Sequence, residues 1–186
     1  MWASGFPLTR FHPKTGKFTY FSEVARSYSI DLDQEGNVWF SAIDEGKIGK
    51  VDAKTDKVTK WATPTPRSEP KRIQVDPEGV VWFGEFKGGK IGRFDPKTET
   101  FKEYPLPGPA PTPYALWLDK NNGIWYCSQD MDVIGRLDLK TGHVTEYPFP
   151  YSAIGMREFF LDSEGRMWWG SPANSKVGYI ILPTGS

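Results

Sequence analysis

The sequence predicts an all-β fold, a β-propeller built from four-stranded antiparallel blades, and three observations predict it. Trp39, Trp82, Trp125 and Trp168 recur at a step of 43 residues, shared by Gly49, Gly92, Gly135 and Gly178 and by Asp33, Asp76, Asp119 and Asp162. Ile48, Ile91, Ile134 and Val177 keep the same register, as do Thr55, Thr98 and Thr141, so no insertion separates the units. Inside each unit the apolar residues follow the period of a strand, and Gly, Pro and Asp cut them into four short runs. Four short strands per repeat of about 40–45 residues make a propeller blade, whereas solenoid repeats are shorter and parallel.

The second complete unit justifies each element in turn. Ile73-Gln74-Val75-Asp76 alternates, which places Ile73 and Val75 on one face of a strand. Pro77-Glu78-Gly79 turns the chain, and Val80-Val81-Trp82-Phe83 is a nearly continuous apolar run suited to a strand buried on both faces. Gly88-Gly89 makes the next turn, Lys90 to Asp95 the third strand, and Pro96-Lys97-Thr98 a further turn. Thr100 to Tyr104 alternates as an exposed outer strand, and the proline-rich stretch 105–113 carries the chain onward. On this division 26–68, 69–111 and 112–154 are complete blades, 1–25 is a partial blade and 155–186 an incomplete one. About four to four and a half blades are thus present in one domain. The repeated Trp is expected to pack between blades, and the repeated Gly to admit a close backbone approach or mark a bulge.

Two arrangements fit the incomplete ends. The chain is part of a larger ring of about six to eight blades, or strand 17–21 (Lys-Phe-Thr-Tyr-Phe) completes the last blade by pairing with 177–182. That pairing would occur within one chain or, in a homodimer, between two.

Composition narrows the function. Lys+Arg and Asp+Glu both number 23, so the zero net charge gives no electrostatic case for a nucleic acid or an anionic membrane surface. No stretch approaches the roughly 20 apolar residues of a membrane span. Cys127 stands alone, which excludes an internal disulfide, a cysteine-based zinc cluster and a CxxCH haem site. Met1 to Phe6 has neither a basic nor an apolar leader region, so no signal peptide is visible. The compartment stays open: cytoplasm if Met1 begins the protein, periplasm or exterior if it does not.

Glu69-Pro70-Lys71-Arg72-Ile73, Asp76-Pro77-Glu78-Gly79, Trp82-Phe83-Gly84-Glu85, Lys90-Ile91-Gly92-Arg93 and Glu103-Tyr104-Pro105-Leu106-Pro107 together resemble the repeat of the streptogramin B lyase family. The GH…WD signature of WD40 repeats is absent. The resemblance implies a seven-bladed ring and an Mg²⁺-assisted elimination that opens a cyclic depsipeptide at its ester. It also implies a histidine base, with nearby glutamates supporting base and metal. Carried over by position, Glu69 and Glu85 fall on the functional glutamates, Glu85 as a candidate Mg²⁺ ligand, and Lys71 stands where the base histidine stands. That column reads Tyr28, Lys71, Tyr114 and Arg157, and the two histidines, His12 and His143, lie toward the rim. A lysine serves as a base only when burial strongly lowers its pKa.

The candidate catalytic set is therefore Glu69, Lys71 and Glu85. The candidate ligand-binding ring at the channel mouth is Tyr28, Arg72, Tyr114, Arg157 and Glu158. Without a histidine in the base column, the sequence favours a binding or interaction module that takes a small polar molecule or a protein loop. The alternative is an Mg-dependent C–O lyase acting on a streptogramin-like depsipeptide.

Overall fold

The computed structural model describes residues 1–173 and 175–182. It begins with a three-stranded sheet of β1 (Trp2–Ala3), β2 (Leu8–His12) and β3 (Lys17–Phe21). Three four-stranded blades follow. Blade I holds β4 (Ser27–Leu32), β5 (Val38–Ala42), β6 (Lys47–Val51) and β7 (Val58–Ala62). Blade II holds β8 (Pro70–Val75), β9 (Val81–Glu85), β10 (Lys90–Asp95) and β11 (Thr100–Pro105). Blade III holds β12 (Pro113–Leu118), β13 (Gly123–Ser128), β14 (Val133–Asp138) and β15 (Val144–Pro148). A last sheet, blade IV, contains β16 (Phe159–Leu161), β17 (Arg166–Ser171) and β18 (Lys176–Ile181). Every neighbouring pair is antiparallel, and the only helical segment among the described residues is a 3₁₀ turn at Ile43–Glu45.

The first strand of each blade is innermost, since β8 packs against both β4 and β12. Four apolar clusters join neighbours in order: the N-terminal sheet with I, I with II, II with III, and III with IV. None joins the first sheet to the last among the described residues. Strand 17–21 accordingly does not pair with 177–182 within one chain. Three full blades stand between these two edges, and each ends its own sheet. Among the described residues β18 is an edge strand, a kind of edge that invites pairing.

The Trp column packs between blades, as its spacing predicts. Trp39 (2% exposed) lies among Ile73, Val81 and Phe83 of the next blade, and Trp82 (4%) among Leu116, Ile124 and Tyr126. Trp125 (1%) packs with Ile154 and Met156, which lead into blade IV, and with Phe159 of its first strand. Trp168 departs from the expected burial and is partly exposed, because among the described residues no further sheet packs on it. The Asp column explains itself here. Asp33, Asp76, Asp119 and Asp162 each accept the indole N–H of the Trp six residues on, at 3.0, 2.9, 3.0 and 2.7 Å. A buried indole needs such an acceptor, and the pair fixes the ring's orientation.

The Gly column corrects the expectation of a close backbone approach. Gly49, Gly92 and Gly135 face Phe40, Phe83 and Tyr126 across the strand pair, and a Cβ there would lie 2.3, 2.2 and 2.2 Å from those rings. The ring of the residue after each repeated Trp lies over the glycine backbone of the same blade. Gly92→Ala should therefore cost about 1–3 kcal/mol, as overpacking does, read as a lower urea midpoint at an unchanged slope. An unchanged midpoint would mean that Phe83 moves aside freely.

Innermost strands of neighbouring blades belong to different sheets, so their inward N–H groups must find other acceptors. Asp31 Oδ2 accepts from the Val75 N–H (2.8 Å), and Gln74 Oε1 from the Leu118 N–H (3.0 Å). The same column continues as Trp117 and Phe160, which meet edge to face at 5.7 Å.

Candidate functional site

The register of the innermost strand breaks at the same place in each of blades I to III: between Ser27 and Ile30, between Pro70 and Ile73, and between Pro113 and Leu116. The bulged residues include Tyr28, Lys71 and Tyr114. Bulges re-aim side chains, and here they turn one residue per blade toward the channel mouth. Arg157, just before β16, joins them. The four line one cavity of about 310 Å³ together with Arg26, Asp44, Glu69 and Gln129. The column read from the repeat is thus brought together in space.

Lys71 is the centre of this site. Its ammonium lies 3.2 Å from the centroid of Phe86, 4.5 Å from that of Tyr114 and 5.8 Å from that of Tyr28. Tyr114 packs edge-on against both Tyr28 and Phe86 at 5.9 Å, so the rings support one another. Ser41 of blade I donates to the Lys71 carbonyl at 2.6 Å and anchors the strand end beneath the cage. Burial lowers the Lys71 pKa, Glu69 opposes that shift, and the Arg157 charge reinforces it. Glu69 sits at the cavity edge with a left-handed φ of +49° and pairs with Lys87 at 2.5 Å. A non-glycine residue holds that backbone conformation at some cost in strain. Arg26 pairs with Asp44 at 3.0 Å.

Three candidates lie elsewhere. Arg72 and Glu158 form an ion pair at 2.5 Å in a neighbouring cavity of about 210 Å³, between blades and beside Gln74 and Leu116. They are committed to each other and not to the Lys71 cavity. Glu85 is completely buried, with neither carboxyl oxygen hydrogen-bonded among the described residues. It lies under the Gly88–Gly89 turn, where a Cβ on Gly88 would come within 2.6 Å of its Oε2. Burial first, and then the Glu103 charge, push its carboxyl up to about 7.

As a Mg²⁺ ligand Glu85 does not fit. Among the described residues no group of three His, Cys, Asp or Glu could hold a metal ion. The cation of this corner is the Lys90 ammonium, bonded to Glu103 at 2.5 Å and to Thr65 at 2.7 Å. His143 is exposed and His12 ends β2 of the N-terminal sheet, and neither lines the cavity. Sequence reasoning missed Arg26, Phe86 and Gln129. Phe86 follows Glu85 directly, but its role depends on the Lys71 bulge, which no residue pattern announces.

The chain matches the model of the virginiamycin B lyase family over residues 14–185. Among solved structures it is similar to a streptogramin B lyase at 28% identity and a TM-score of 0.75, covering 86% of this chain and 55% of that one. It is also similar to a catalytically inactive virginiamycin B lyase from Staphylococcus aureus, solved with quinupristin (24% identity, TM-score 0.81, 95% and 63% covered). A third likeness is to an auxiliary nutrient binding protein from Bacteroides thetaiotaomicron (15% identity, TM-score 0.70, 95% and 54% covered). The last two show the fold alone. The chain spans less than two thirds of the length of each of these structures. A search of curated proteins gave no match.

Proposed function

Because this chain belongs to the virginiamycin B lyase family, we propose that it is a ligand-binding β-propeller of that family, taking a small polar molecule at the mouth of its channel. The observation that carries this reading is the convergence of Tyr28, Lys71, Tyr114 and Arg157, from four successive blades, on one cavity of about 310 Å³. This volume is at the lower end of the small-molecule range, and the lining is more polar than that of the usual apolar pocket, which suits a polar ligand.

A lyase reading is favoured by one feature, the lowered pKa of Lys71. Against it, the ammonium is caged by three rings, which stabilise its charged form. A general base must be neutral to accept the substrate's proton.

Quinupristin is a suitable probe. Incubated with the chain and Mg²⁺, it is expected to stay cyclic, as followed by chromatography. Calorimetry on the same mixture tests the site: any binding should weaken in Arg157→Ala. Binding unmoved by that change would place the ligand on another surface. Linearisation that disappears in Lys71→Met would overturn the binding-module reading and make Lys71 the base.

A further inference from the structure

We infer that the molecule taken at this mouth is a hydroxylated carboxylic acid, its carboxylate held between Lys71 and Arg157 and one hydroxyl donating to Gln129; the inference rests on the cavity being a ligand site.

The polar groups facing the cavity divide into those already satisfied and those not. Glu69 is paired with Lys87, and Asp44 with Arg26. Lys71 and Arg157 have no ion pair and no hydrogen bond to a side-chain or backbone acceptor among the described residues. Their charges nonetheless act on each other, since Arg157 makes protonation of Lys71 harder. Glu69 and Asp130 act on Lys71 only as nearby charges, with no ion pair to it, so two like charges on one small cavity are further stabilised by an anion between them. Arg presents a planar fork that matches a carboxylate, and Lys a compact charge beside it.

Gln129 supplies the other half of the argument. Its side-chain Oε1 is buried and has no donor among the described residues, while its backbone N–H is anchored to the Thr112 carbonyl at 3.0 Å. A buried acceptor without a partner calls for a donor from outside the chain. A carboxylate bearing a neighbouring hydroxyl supplies an acceptor to the two cations and a donor to Gln129. A neutral sugar would leave both cations unpaired, and a simple carboxylate would leave Gln129 unmet.

The test is calorimetric titration of the intact chain with D-glucuronate, D-glucose and glucose 6-phosphate at low ionic strength. Glucuronate is expected to bind about tenfold or more tightly than glucose, the scale of one charge-assisted hydrogen bond. Lys71→Met and Arg157→Gln should each remove about that factor, and Gln129→Leu a smaller part of it. Arg157 is exposed, so Arg157→Gln leaves the fold intact and isolates the charge. Glucuronate binding no better than glucose, or unmoved by Arg157→Gln, would overturn the inference, as would tighter binding of the phosphate ester. If glucose or quinupristin binds at the cavity while glucuronate does not, the ligand-site reading survives and only the carboxylate falls. If none of the probes binds there, both fall.

Discussion

Trp82→Ala is expected to destabilise the chain by about 3–5 kcal/mol, the range for large-to-small changes at fully packed aromatic sites. The indole is 4% exposed and fills the interface between blades II and III, against Leu116, Ile124, Tyr126 and Leu137. Its N–H is satisfied by Asp76 at 2.9 Å, so truncation leaves a cavity and also takes a donor from that carboxylate. The chain contains its own control. Trp168 has the equivalent bond to Asp162 at 2.7 Å but no further sheet against it among the described residues, so Trp168→Ala in this chain should cost about 1–2 kcal/mol. Urea denaturation of the two variants measures the difference. Equal losses would mean that packing between blades is not the source, and a loss under about 1 kcal/mol for Trp82→Ala would refute the packing register altogether.

The second large effect belongs to Glu85 and depends on pH. Its carboxyl is completely buried, and burial raises its pKa from 4.5 to about 7 in the folded chain. As pH rises, the unfolded chain therefore loses this proton first. The stability it contributes is complete below about 4.5 and is lost as pH rises through about 7. The gap between the two values corresponds to roughly 3 kcal/mol. Replacing the ionisable group in Glu85→Gln should flatten that decline, so the variant gains on the parent between pH 5 and pH 8. Urea midpoints at the two pH values decide: a difference between parent and variant that does not change with pH would show that Glu85 is not the titrating group. Asp119 and Glu103 act in another window. Their pKa values are lowered in the fold, so their contribution is present above the ordinary carboxylate range and is lost only in acid.

Most of the fold was legible because a repeat writes the same physical problem several times. Trp39, Trp82 and Trp125 share a register because each must fill the gap to the next blade. The same logic placed Tyr28, Lys71, Tyr114 and Arg157 at one level of the propeller, and they do line one cavity. Repetition could not say what each column touches. The Asp column reads as turn residues until the indole N–H is seen bonded to it. The Gly column reads as backbone crowding until Phe40, Phe83 and Tyr126 are seen lying over it.

By itself, then, the sequence determined the all-β class and the four-stranded antiparallel sheets, since strand period and turn chemistry are local. Only the tertiary structure decided which of the candidate residues meet. The bulges in β4, β8 and β12 turn Tyr28, Lys71 and Tyr114 toward the mouth, while Arg72, the neighbour of Lys71, goes to Glu158 instead. Glu85 ends β9 in the same blade as Glu69 and yet is sealed beneath the Gly88–Gly89 turn, in no group of three metal-ligating side chains among the described residues. The physical reason is that a strand's period assigns a side chain to a face, but bulges and the packing of neighbouring blades decide what that face meets.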